Sequence, residues 1–214
     1  MNQGNIYPLF SKVFYTKVIE LDLKKSISAV DKICDTNWIN SGHKKDYAYD
    51  IKKPSLTSKE KQLLKKPKLK FLKNKILEEF YIFTKEVLKY EQKFDFSTSW
   101  SVVSEPGAET NFHAHANSMF SGILYLHVDE NSGDIAFQDY TDIRYLLDKK
   151  EFNIYNSRSW RFKPVDGLLI IFPSEMHHKV LKNESHIMRK SIAFNLYPIG
   201  DIYQKDSGAY LHLK

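Results

Sequence analysis

From about residue 95 onward the chain is cut into short apolar runs by turn-forming residues, and this punctuation restricts its fold more than any other feature. Pro106-Gly107, Asn131-Ser132-Gly133 and Asp166-Gly167 separate runs too short for helices. Those runs carry the β-branched and aromatic residues of strands. Strands are predicted at 97–104, 109–115, 121–127, 133–138, 159–162, 168–172, 178–180 and 189–197. Eight short antiparallel strands with no helical pattern between them bury their apolar faces by closing on one another, as a sandwich or barrel.

The residues before 95 follow another period. Phe71, Leu72, Ile76, Leu77, Phe80, Phe83, Val87 and Leu88 recur at three- and four-residue spacings, which predicts a helix over 68–90. Shorter helices are predicted over 24–35 and 58–66, the second capped by Thr57 or Ser58. Residues 37–54, with Trp38, Ser41, Gly42, Tyr47 and Tyr49, show no period and read as a long loop, a kind of segment that is often functional. The expectation is one α+β domain, with 1–95 as a mainly helical support, 96–198 as the β core and 199–214 as a tail.

Composition narrows the function classes. With 42% hydrophobic and 27% charged residues the chain is ordinary globular material, not a disordered or fibrous one. Its single cysteine, Cys34, excludes an internal disulfide and a thiolate zinc site. No apolar run approaches the ~18 residues of a membrane span, and the N-terminus lacks a signal-peptide pattern, so a reduced, cytoplasmic protein is expected. The net charge of +6 is concentrated, because 59–75 holds eight lysines and one acid, Glu60. Such a run serves as a solvated helix face or as contact with an acidic partner. Arginine is scarce and aromatics do not interleave with these lysines, which argues against nucleic acid as the partner. A dimer is left open.

The histidines carry the chemistry. His113-Ala114-His115 falls in a predicted strand, where residues i and i+2 share a face and two imidazoles can ligate one metal. His178 follows a later apolar strand that a closed sheet can lay beside the first. Each histidine alone also reads as a surface or hydrogen-bonded core residue. Taken as a set, imidazole-dominated open ligation points to non-haem iron before copper or structural zinc. His177 should face away from His178, while His43, His127, His186 and His212 read as non-ligands. Arg189 and Ser191, eleven and thirteen residues beyond His178, share a face of a predicted buried strand and suit a bidentate carboxylate. Trp100 and Asn111 are candidates for a pocket wall, with core packing the commoner role for a tryptophan.

Residues 111–197 resemble the Fe(II)/2-oxoglutarate-dependent dioxygenases, and within them a small bacterial and phage branch. The resemblance rests on five ordered pieces: Asn111/His113/His115, Ser121-Gly122 with Tyr125-Leu126, Ser132-Gly133 with Phe137 and Asp139, Phe172-Pro173-Ser174 with His178 and Val180, and Arg189/Ser191 with Phe194-Asn195. It implies a double-stranded β-helix, or jelly roll, with the N-terminal helices on one face. His113 and His178 would bind Fe(II), and Arg189, Ser191 and Tyr125 would bind the co-substrate 2-oxoglutarate, with no catalytic residue beyond the metal centre. His115 stands where most relatives have Asp or Glu, and is expected either to ligate as a third imidazole or to yield its place to water. The implied activity is hydroxylation of a small-molecule or side-chain substrate, with succinate and CO2 as co-products. The alternatives are a three-histidine cupin-like dioxygenase without 2-oxoglutarate and a non-enzymatic jelly-roll module. The implied compartment is the bacterial cytoplasm, or the host's for a phage protein.

Overall fold

A computed structural model describes residues 5–34, 38–40, 51–140 and 147–214. The predicted helix at 24–35 forms as α1 (Leu23–Cys34). Asp22 caps it, its Oδ1 accepting the Lys25 N–H at 2.9 Å. Ser26, Val30 and Cys34, four residues apart, make its buried stripe. The long helix at 68–90 is shorter than expected. A 3-10 turn at Pro67–Leu69 leads into α2 (Lys70–Tyr81), which loosens into a π-helical turn at Ile82–Val87. It stops at Lys89, whose φ of 60° lies in the left-handed region.

Thr57 and Ser58 do not open a helix. They belong to β3 (Leu56–Ser58), paired with β2 (Trp38–Asn40) and with β4 (Lys93–Ser104). The main chain that follows bonds to β4, with the Ser99 N–H on the Lys61 carbonyl at 2.8 Å and the Leu64 N–H on Ser99 Oγ at 2.8 Å. Only a 3-10 turn, Leu63–Lys65, remains there. The predicted 37–54 loop is therefore a strand at its start, and its residues 41–50 lie outside the described residues, with Ser41, Gly42, His43, Tyr47 and Tyr49 among them.

The β core is a jelly roll. Its large antiparallel sheet runs β1 (Tyr15–Val18), β8 (Leu168–Pro173), β5 (Phe120–His127), β10 (Arg189–Ile202), β4, β3, β2. Residues 199–214 are no loose tail, because β10 continues to Ile202 and β11 (Leu211–Leu213) pairs with it. The small sheet is β7 (Ser159–Phe162), β6 (Ile135–Gln138), β9 (His177–Val180). The strand predicted at 109–115 does not form. Thr110 N–H bonds to Val180 O at 3.1 Å and His113 makes an isolated bridge to His178, so this segment lies along β9 as an irregular border.

Alternation sorts the large sheet into two faces. Leu124, Leu126, Leu169, Ile171, Ile192, Phe194 and Leu196 pack with Leu72, Ile76, Phe80 and Phe83 of the helical half. Ile123, Tyr125, Ile170 and Phe172 point the other way and meet Ile135 and Phe137 of the small sheet. Gly122 is required between them: a Cβ there would stand 2.3 Å from the Phe194 ring and 2.8 Å from the Ile170 carbonyl. Lys17 and Tyr15 of β1 both bond to Glu79 of α2, at 2.8 and 2.5 Å, which ties the sheet edge to the helix.

Candidate active site

Between the two sheets lies a cavity of about 1180 Å³. Along β10 the alternation sends Arg189, Ser191, Ala193 and Asn195 into it, and their β4 partners facing the same side are Ser104, Val102, Trp100 and Thr98.

Three imidazoles converge at its mouth. One ring nitrogen from each of His113, His115 and His178 lies within 4.8 Å of the others. Reciprocal main-chain hydrogen bonds of 3.0 and 2.9 Å hold His113 against His178, and His115 N–H donates to Ser174 O at 2.9 Å. These bonds, and not strand alternation, aim both members of the His-x-His pair. Each ring is then turned by its Nδ1. His113 Nδ1 donates to Asn111 O at 2.8 Å, His178 Nδ1 to Met176 O at 2.9 Å and His115 Nδ1 to Asn195 Oδ1. Such oxygens only accept, so Nδ1 carries the proton on every ring and the Nε2 lone pairs are left for a ligand.

Burial lowers all three pKa values, that of His115 to about 4 and that of His178 well below the usual imidazole range, with the neighbouring imidazoles adding to the effect. His113 shares this although the residue as a whole is exposed. Three neutral imidazoles with oriented lone pairs are a donor set suited to a divalent transition metal such as iron. Asn195 is a residue that sequence reasoning left without a role. Its Oδ1 also accepts from Ser121 Oγ at 2.8 Å, and its Nδ2 donates to Thr98 Oγ1 at 2.9 Å, so the His115 ring is held through two further strands. The available signal was its place six residues beyond Arg189, on the same face.

Deeper in the cavity sits Arg189, only 2% exposed. Its guanidinium donates to Ser104 Oγ at 2.7 Å, to Gly133 O at 3.2 Å and to Ser132 O. Among the described residues no carboxylate pairs with it, and burial depresses its pKa. A buried cation held only by neutral groups is costly unless an anion completes it. Gly133 makes the clamp possible: its φ is +81° and a Cβ would stand 2.4 Å from Leu181 O. Across the sheet, Tyr125 is the register partner of Ser191. Its hydroxyl is buried without a hydrogen-bond partner, and burial raises its pKa to about 12. An orphaned donor beside an unpaired guanidinium forms a cradle for a carboxylate.

Aromatic groups line the mouth. Trp100, for which core packing is the commoner role, stacks instead on His115, with ring centroids 5.8 Å apart. Phe112 and Tyr140 meet edge to face, and Tyr140 also contacts His177. His177 is exposed and lies outside the three-imidazole cluster, as its neighbour's burial dictates. His127 faces Lys190 at a register shift, His186 is exposed and His212 bonds to Asp201, so these three also stay away from the cluster.

Residues 98–195 match the family described as "Putative 2OG-Fe(II) oxygenase". Curated proteins include no match. Among solved structures the chain is similar to a Pseudomonas putida prolyl-4-hydroxylase, at 15% identity over 90% of this chain and 96% of that one, with a TM-score of 0.59. It is similar to the non-heme alpha ketoglutarate dependent carbocyclase SnoK from nogalamycin biosynthesis, at 14% identity over 89% and 81%, with a TM-score of 0.62. A prolyl hydroxylase from Trichoplax adhaerens, in complex with a hypoxia inducible factor peptide fragment, aligns at 11% identity over 86% and 82%, with a TM-score of 0.60. At these identities the likeness speaks for the jelly-roll fold.

Proposed function

We propose that this chain, whose residues 98–195 fall in the 2OG-Fe(II) oxygenase family, is an enzyme that hydroxylates a C–H bond of a substrate bound at the cavity mouth. His113, His115 and His178 would hold the iron, and Arg189, Tyr125 and Ser191 the distal carboxylate of 2-oxoglutarate. Iron and 2-oxoglutarate together supply an oxidation of the substrate by O2, coupled to decarboxylation of the co-substrate to succinate and CO2.

The protein's own part is positioning and exclusion of water. The Nδ1–H bonds to Asn111, Met176 and Asn195 keep the three imidazoles oriented before any ligand arrives. Asn195 does for His115 what a carbonyl does for the other two, so the third imidazole stands ready in the place of the usual carboxylate. Arg189 and Tyr125 are desolvated in advance, which makes their bonds to an arriving carboxylate strong. Trp100, Phe112 and Tyr140 shape the apolar wall against which a substrate would lie.

The observation that carries this reading is Arg189, a buried cation without an anion. A set of three neutral histidines favours the second reading, a cupin-like dioxygenase that binds its substrate directly. That chemistry leaves Arg189 and the Tyr125 hydroxyl without a purpose. The choice between hydroxylation and other outcomes rests on the prolyl hydroxylases among the similar structures, against a carbocyclase in the same company.

One anaerobic titration tests both halves, by following the absorbance that develops when Fe(II) and 2-oxoglutarate are added together. Wild type is expected to develop a charge-transfer band. His113→Ala and His178→Ala are expected to lose iron binding, and His177→Ala to keep it. Arg189→Leu should bind iron normally and 2-oxoglutarate about 30-fold more weakly or worse, the consequence of losing one partner of a buried charge pair. A wild type with iron but no such band hands the site to the cupin-like reading.

A further inference from the structure

Five of the eight lysines at 59–75 fall into two groups in the fold. Lys65 and Lys73 pair with Asp95 at 3.3 and 3.6 Å, Lys66 with Glu60 at 2.5 Å and Lys75 with Glu78 at 3.5 Å. These lysines have found their counter-ions, on Asp95 of β4, on Glu60 and on Glu78 of α2. Lys61 turns the other way and lines the same cavity as the three histidines. Its Nζ donates to Thr57 Oγ1 at 3.3 Å and stands 5.6 Å from the centre of the Trp100 ring. The Trp100 ring centre in turn lies 5.8 Å from that of His115. Among the described residues no carboxylate pairs with Lys61, and burial alone depresses its pKa.

Resting on the oxygenase reading above, we propose that Lys61 is a substrate-binding residue, and that the substrate is a small molecule with a carboxylate or phosphate and a flat or apolar body. The anionic group would take the Lys61 ammonium and Thr57 hydroxyl, and the body would lie along Trp100 towards the histidines. Three features set this anion position apart from the one at Arg189. Lys61 is half-buried and stands over the Trp100 ring, whereas Arg189 is fully buried and clamped by Ser104 and main-chain carbonyls. An ammonium over an indole face remains partly exposed to the cavity and keeps donors free, since Thr57 satisfies only one of its three. The cavity, at about 1180 Å³, stands at the upper end of the roughly 300–1,000 Å³ of small-molecule pockets, and its lining reaches from Arg189 to Lys61, so it spans both anion positions.

The test uses the full chain with Fe(II) and saturating 2-oxoglutarate, without oxygen, and follows tryptophan fluorescence. The probes are 3-phenylpropionate, phenyl phosphate and the neutral 3-phenylpropanamide. At least one anion is expected to bind wild type tenfold or more tightly than the amide, and the better of the two identifies the group. Lys61→Met should erase that preference, because a hydrogen bond to a charged partner is worth about tenfold or more. Lys61→Arg should retain it, and equal melting temperatures would establish that both variants fold. The proposal is overturned if neither anion binds wild type at millimolar concentration, if the amide binds as tightly, or if Lys61→Met leaves the preference intact. The affinity for 2-oxoglutarate keeps the two readings apart. Should Lys61→Met lose it while Arg189→Leu does not, Lys61 is the co-substrate anchor and the separate subsite falls.

Discussion

The two faces of β10 are one residue apart in sequence and opposite in physics. Ile192, Phe194 and Leu196 look outward into a dry layer of leucine and phenylalanine from α2 and the 3-10 turns. Arg189, Ser191 and Asn195 look inward, buried almost as fully, yet among groups that hydrogen-bond. The outward face is complete, since every side chain there has its apolar neighbours. On the inward face, the Arg189 guanidinium lacks an anion and the Tyr125 hydroxyl lacks any partner. A strand can hold both because the pleat keeps neighbouring side chains on opposite sides of the sheet. The outward face therefore supplies stability that the inward face spends on preorganisation, and substitutions on the two should have different readouts.

The largest effect is expected on the outward face. Phe194→Ala removes a fully buried ring that packs against Phe96, and should cost about 3–5 kcal/mol in chemical denaturation. If the loss is instead under 1 kcal/mol, the outward layer is not the stabilising one. On the inward face Tyr125→Phe should do the reverse. Deleting an unpartnered buried hydroxyl leaves the melting temperature of the ligand-free protein unchanged or raises it. Binding of 2-oxoglutarate, measured by calorimetry on the iron-loaded protein, should weaken about tenfold. A destabilised variant with unaltered binding would mean that Tyr125 only fills space.

The smallest effect belongs to the rim, where Glu79 joins Tyr15 and Lys17. Burial pushes the Glu79 carboxyl up, but the bonds from Lys17 and Tyr15 outweigh it and hold the carboxyl below its usual value. A carboxylate depressed in the folded state stabilises fully above its unfolded pKa of ~4.3, and that contribution is lost as pH falls through the folded value. Glu79→Gln should thus cost about 1 kcal/mol at neutral pH, given the half-exposed Lys17. Stability curves of wild type and variant should converge as the pH drops below 4, and parallel curves would show the tie to be inert.

Much of this was legible in the chain. The turn pairs and period-2 runs marked most strands of the jelly roll, because local turn chemistry and face alternation act over a few residues. The strands that escaped, β1, β2, β3 and β11, are only three or four residues long, too short to show a period, and β1 and β3 pair with strands far along the sequence. Thr57 and Ser58 illustrate the difference. As isolated residues they cap a helix, and only the ladder offered by β4 makes them a strand.

By itself, the sequence determined which side chains were available for chemistry and, where a strand did form, on which face each could lie: Arg189 with Ser191, His178 apart from His177. What only the tertiary structure decided is how those sets meet. The His113–His178 bridge, the turn of the His115 ring by Asn195 and the seat of Lys61 over Trp100 each join residues distant in the chain. Sheet closure brings them within hydrogen-bond or ring-contact distance, and hydrogen bonds and dispersion act only across a few ångströms of space.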